Sequence, residues 1–142
     1  QSVNLKHSSM KGTVSTNQKV ELEYQVNTSP GVLFKRLSTP HGLSEWFAND
    51  VNLSGNVFTF IWDGDTQKAE LVDKKENKFV KFRWITEQNE AGHHFAFKLT
   101  KDELTGEVSL TVIEEVNEEE DIDEVVSLWN YQIGELKRLI GA

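Results

Sequence analysis

The sequence predicts a single α+β domain in which a curved antiparallel sheet is held against one long C-terminal helix. Three observations carry this expectation. Lys19 to Asn27 alternates strictly, with Val20, Leu22, Tyr24 and Val26 on one side and Glu21, Glu23 and Gln25 on the other, as a half-buried strand does. Between Val51 and Glu115, short alternating runs recur between turn-type sequences. From Ile122 onward, Val125, Val126, Trp129, Ile133, Leu136 and Ile140 return at helical spacing. A sheet with one apolar face and a helix with one apolar stripe each need a partner, and each supplies the other's.

Two short helices are expected after the first strand. Ser29 before Pro30 offers a cap with proline at the first helical position, and Val32, Leu33 and Leu37 supply the stripe. Thr39-Pro40 repeats the start signal, with Leu43, Trp46 and Phe47 on one helix face. Pro40 also ends the first helix, because it disfavours helical geometry at Thr39.

About six strands follow. The clearest are Val57 to Trp62, Lys68 to Lys74, Phe79 to Ile85, Phe95 to Lys101 and Glu107 to Glu115. They are separated by Asp63-Gly64-Asp65, Lys75-Glu76-Asn77, Asn89 to Gly92 and Thr105-Gly106. Such short connections imply antiparallel hairpins in a meander. Asp121 caps the final helix with Glu124 three residues on, Lys137 and Arg138 complement its dipole, and Gly141 ends it.

The 142 residues fit one domain, spanning 19–142. Residues 1–18 are polar and aperiodic and read as a tail or an appended segment, with Met10, the sole methionine, a candidate start. Because the chain opens on Gln1, a preceding segment is expected to have been removed. Cysteine is absent, which excludes a disulfide framework, a thiolate nucleophile and a cysteine zinc site. It suits a reducing compartment, so the cytoplasm is the expected location. With 15 Lys and Arg against 23 Asp and Glu, the net charge is −8. That field repels nucleic acid and anionic membrane surfaces, and no apolar run is long enough for membrane insertion.

Catalytic patterns are sparse. His93 and His94 are adjacent at a strand start, so their side chains point to opposite faces and chelate poorly; no metal is expected. His41 and His94 are the candidate bases should the interior host a reaction. Asp63 and Asp65 flank a glycine, and turn chemistry accounts for both. Glu114, Glu115, Glu118, Glu119 and Glu120 could attract a cation but lack calcium-loop spacing, and the run Glu118 to Asp121 reads as a solvated loop leading into the helix. No phosphate loop or nucleophile elbow is present, so no cofactor and no catalytic residue is assigned.

Several motifs resemble the START-like superfamily, also called the helix-grip fold. They are Ser38 to Phe47, with its Thr-Pro start and Trp-Phe end, Phe58-Thr59-Phe60-Ile61-Trp62, Val80 with Phe82 and Trp84, and Trp129 with Ile133, Leu136 and Ile140. The branch most like this chain is that of the activator of heat-shock-protein-90 ATPase homologues. The resemblance implies a ligand-taking space between sheet and final helix, lined by Trp46, Phe58, Phe60, Trp62, Phe82, Trp84, Phe95, Phe97, Trp129 and Ile133. The same rings could equally fill a core. An empty apolar void of about 300 Å³ would cost about 7 kcal/mol at ~24 cal/mol per Å³, against a whole-domain stability of about 5–15 kcal/mol. The space is therefore expected to be small or narrow, or open and wet, or filled by a ligand. Buried indole N–H groups are expected to orient that ligand's polar end. The function expected is binding of a small hydrophobic molecule or lipid. The alternatives are a protein-interaction module, acting on a chaperone or as a homodimer, and a cavity enzyme.

Overall fold

The structure, a computed structural model, describes residues 18–86, 91–117 and 120–141. The tail expected over 1–18 falls almost wholly outside these residues, as do Glu118, Glu119 and the first half of the Asn89 to Gly92 turn.

The chain runs β1 (Gln18–Val26), α1 (Pro30–Ser38), α2 (Pro40–Ser44), β2 (Asp50–Ser54), β3 (Val57–Trp62), β4 (Asp65–Lys75), β5 (Phe79–Ile85), β6 (Ala91–Lys101), β7 (Val108–Val116) and α3 (Ile122–Ile140). The strands form one seven-stranded antiparallel sheet in the order β1-β7-β6-β5-β4-β3-β2. The meander of β2 to β7 is closed by β1, which pairs with β7 along its whole length. Irregular pairing between Leu71 and Asp73, and between Arg83 and Ile85, bends the middle strands.

The inner face is set by strand alternation. Val20, Leu22 and Val26 lie opposite Glu114, Val112 and Val108, and Phe97 and Phe95 lie between Val80 and Phe82 of β5 and Val112 and Glu114 of β7. Trp129, Gln132, Ile133 and Leu136 form the buried stripe of α3. Trp129 meets Phe95 and Phe97 at ring separations of 6.4 and 5.7 Å, so the helix crosses the concave side. Asp121 Oδ1 accepts from the Asp123 and Glu124 amides to start α3, and Gly141, at φ 74°, ends it.

Three local expectations are corrected. The second short helix stops at Ser44, and Trp46 and Phe47 follow in a turn. The chain must swing here so that the Asn49 amide reaches Ile61 O at 2.9 Å and β2 can pair. The Trp46 indole then donates to Arg36 O at 2.8 Å, satisfying a carbonyl that the end of α1 leaves open. Strand β2, which no sequence signal singled out, is short and mostly exposed. Strands β4 and β6 start earlier than expected, at Asp65 and Ala91, which places His93 and His94 within a strand and not at its start.

Candidate functional site

A space of about 720 Å³ lies between the N-terminal half of α3 and the inner face of the sheet. Its walls come from the α2–β2 turn (Phe47), the β3–β4 hairpin (Trp62, Asp65, Gln67), β5 and the start of β6 (Trp84, His93), the end of β7 (Glu114) and α3 (Val125, Leu128, Trp129, Gln132). Leu128, Asp65 and Gln67 are exposed, so the space opens to solvent. Of the alternatives that the sequence leaves open, the structure has an open space and not a small or narrow one: the rings close one part of the interior and leave a chamber open to solvent at the other.

The aromatic residues divide accordingly. Phe58, Phe60, Phe82, Phe95, Phe97 and Ile133 are fully buried, and Trp46 nearly so. Phe82 stacks on Phe95 at 4.9 Å, and Phe58 meets Phe82 edge-on at 5.3 Å. These residues form the floor beneath the chamber. Trp62, Trp84 and Trp129 line the chamber itself, together with Phe47, which the sequence reading did not include. Phe47 joins the two regions, stacking against Trp129 at 5.9 Å and meeting Phe60 edge-on at 5.0 Å.

The indole N–H groups are already engaged, contrary to the expectation that they orient a ligand. Trp46 donates to Arg36 O and Trp62 to Phe47 O, each at 2.8 Å. Trp129 donates to Glu114 Oε1 at 2.7 Å, and Trp84 supplies a second side-chain hydrogen bond to the same carboxylate. The polar side chains presented to the chamber are therefore chiefly carboxylates and amides, among them Glu114 and Gln132, with Thr86 and His93 beside them. Gln132, only 8% exposed, donates to Phe47 O at 3.3 Å.

Glu114 is the residue that sequence reasoning missed. The sequence reading weighs it only as a cation ligand without calcium-loop spacing, yet it continues the inward phase Val108, Leu110, Val112, Glu114, Val116 along β7. That alternation was the available signal. Burial pushes its carboxyl above the usual range, and the charge of Glu120 adds to this. The hydrogen bonds from Trp129 and Trp84 and the nearby His93 act in the opposite direction.

The histidines fall differently from the expectation. His41 is 87% exposed and lies 3.5 Å from Glu45. His94 faces the convex side, where its amide and Nδ1 lie 2.9 and 3.2 Å from Glu115 Oε1. Neither faces the interior, because strand phase puts His93, not His94, on the same side as Phe95. Burial alone would raise the Glu115 carboxyl, but the two His94 hydrogen bonds and the histidine charges hold it below its ordinary range. Asp63 sits in the hairpin turn, whereas Asp65 opens β4 and reaches the chamber rim, accepting from Gln67 Nε2 at 3.0 Å. Among the described residues, no three histidine or acidic side chains are grouped to hold a metal ion, and no helix is long and apolar enough to cross a membrane.

With this geometry in place, the sequence pattern of the START-like superfamily domain matches residues 14–142. The chain belongs to the START-like superfamily. This START-like domain superposes on the solution structure of the Aha1 dimer from Colwellia psychrerythraea with a TM-score of 0.74 at 19% identity, covering 84% of this chain and 93% of that one. A solution structure from Bacteroides fragilis is 32% identical, with a TM-score of 0.61 and coverage of 87% and 91%. A crystal structure of a protein from the dynemicin biosynthetic locus gives a TM-score of 0.69 at 19% identity; the match covers 87% of this chain but 47% of that one. No protein of curated function matches the sequence.

Proposed function

We propose that this START-like domain binds a small, largely apolar molecule in the chamber under α3. The observation that carries the reading is the chamber itself, about 720 Å³, with a lining surface that is largely apolar although Asp65, Glu114, Glu115, Glu120, His93 and four neutral polar side chains also border it, the size and character of a ligand site. The floor residues, Phe58, Phe60, Phe82, Phe95, Phe97, Ile133 and Trp46, give it rigidity, and Phe47, Trp62, Trp84 and Trp129 meet the ligand. The likeness to a protein of a biosynthetic locus is compatible with this reading at the level of fold.

The test uses the neutral probe N-phenyl-1-naphthylamine, whose emission rises in an apolar site. Saturable enhancement is expected with the unmodified chain, and its loss in Gln67→Trp, which fills the chamber from the rim of β4. Absence of saturable binding, or binding unaffected by Gln67→Trp, overturns the reading.

A second reading, assembly as a homodimer, has one observation of its own. Tyr131 and Leu139 are exposed on α3 and are not part of the chamber lining, Tyr131 at 67%. A similar fold is described as a dimer. Sedimentation equilibrium separates the two: a concentration-independent monomer removes the dimer and leaves ligand binding untouched.

A further inference from the structure

The charged side chains around the chamber are of one sign. Among the described residues that line it, Asp65, Glu114, Glu115 and Glu120 are acidic, His93 is the one titratable base, and there is neither lysine nor arginine. Glu115 is already engaged by His94, and Asp65 by Gln67. Glu114 differs from both. It projects inward from the apolar face of β7, where every in-phase neighbour is aliphatic, and among the described residues its hydrogen-bond partners are neutral indole donors, with His93 the nearby base.

Two indole N–H groups occupy part of a carboxylate's acceptor capacity of about four lone-pair sites. They fix its orientation, but neither brings a full positive charge. An inward carboxylate with no lysine or arginine beside it is expensive to keep. If its task were only to receive two indole protons, a neutral amide would serve without that cost. What the carboxylate adds is attraction for a cation. The surrounding rings add to it, because the faces of Trp and Phe attract a positive charge within about 6 Å. Phe47 and Trp62 meet edge-to-face at 5.5 Å in the chamber wall and offer apolar surface to the rest of the molecule.

We propose that the ligand is a protonated amine on an apolar body, with its N–H bound to the free acceptor positions of Glu114 and its body lying along Phe47, Trp62 and Leu128. This rests on the chamber being a ligand site and adds the chemical class of what enters it. The inference concerns binding alone and involves no covalent step.

The experiment compares three probes of one shape and different charge: 1-naphthylmethylamine, 1-naphthalenemethanol and 1-naphthoate. The readout is the set of indole N–H resonances in an 15N-labelled sample, where the Trp129 and Trp84 signals report on Glu114 directly. The amine is expected to bind about 10-fold or more tightly than the alcohol, as a charge-assisted hydrogen bond gives, and naphthoate to bind most weakly. In Glu114→Gln, which keeps an acceptor for the indoles, amine and alcohol are expected to converge to within about 2-fold. Equal binding of amine and alcohol by the unmodified chain, preference for naphthoate, or an amine preference that survives Glu114→Gln each overturns the inference while leaving the chamber as a ligand site. If none of the three probes shifts any indole signal, the chamber reading falls and this inference with it.

Discussion

Tyr24 donates its hydroxyl to Asn130 Oδ1 at 2.7 Å, joining the middle of β1 to the middle of α3 across 106 residues of chain. The bond lies on the same side of the sheet as Leu22 and Val26, so it ties the edge strand to the helix that crosses the sheet. Tyr24→Phe removes the bond and keeps the ring. A loss of about 1 kcal/mol is expected, read as a fall in Tm of about 2–5 °C.

The same tyrosine sets an alkaline limit. Burial pushes its phenol up to about 12. A group whose folded pKa is raised contributes stability that is whole below the unfolded value, about 10 for tyrosine, and lost as pH rises through the folded one. The stability difference between the unmodified chain and Tyr24→Phe should therefore stay constant up to about pH 10 and shrink between about pH 10 and 12. Denaturant midpoints across that range check it, and a constant difference up to pH 12 contradicts it.

Gly42 supports the turn that delivers Phe47 to the chamber. A Cβ there would sit 2.2 Å from Lys35 O and 2.7 Å from the Arg36 Cα, both backbone atoms of α1. Neither can swing aside as a side-chain tip would, so α1 and α2 must separate. Gly42→Ala should cost about 1–3 kcal/mol, the range of overpacked interiors. It should also weaken probe binding, because Phe47 moves with α2. Unchanged denaturant midpoints remove this claim.

Much of the architecture was legible because each element repeats its signal. β1 alternates over nine residues, α3 carries both a cap and a stripe, and the Ser29-Pro30 and Thr39-Pro40 starts cap their helices as expected. β2 was not legible, since only Val51 of its five residues is buried and the strand is defined by pairing with β3. The division of the aromatics into floor and wall was not legible either. Phe60 and Trp62 share one strand and one face, and only the distance of each from the rim of the sheet decides which is covered. Glu114 was hidden because, weighed with the acids that follow it, it shows no ligand spacing, and its inward position emerges only when the phase of Val108, Leu110 and Val112 is carried on to it. His93 and His94 show the same lesson in reverse: adjacency assigned them to opposite faces, but choosing the inner one required the phase set by Phe95.

Glu114 also gives the protein a pH signature of opposite sign to that of an ordinary ion-paired carboxylate. Burial raises its pKa in the fold. Its favourable contribution is therefore complete below the ordinary carboxylate pKa and is lost as pH rises through the higher folded value. Relative to Glu114→Gln, which does not titrate, the unmodified chain should lose stability as pH rises above the ordinary carboxylate value of about 4. Glu115 works against this, since its pKa is lowered and its contribution is lost as pH falls. The comparison with Glu114→Gln isolates Glu114, because the bonds between His94 and Glu115 are present in both proteins. Parallel stability curves for the two would show that the fold leaves this carboxyl unperturbed.

Trp129 and Glu114 couple the floor, the helix and the chamber, and a double-mutant cycle measures how strongly. Trp129→Phe keeps an aromatic ring against Phe95 and Phe97 but removes the N–H that meets Glu114 Oε1. The carboxylate then retains its inward position with one donor fewer. A loss of about 1.5–3 kcal/mol is expected, as for a hydrogen bond to a charged group. In Glu114→Leu the indole has no acceptor to lose, so Trp129→Phe should cost less there, with a coupling of about 0.5–3 kcal/mol between the positions. Additive losses would mean that ring packing alone holds α3 to the sheet. A measured coupling would instead mean that the carboxylate facing the chamber is also the latch of the helix above it, so a ligand that competes for Glu114 must act on α3 as well.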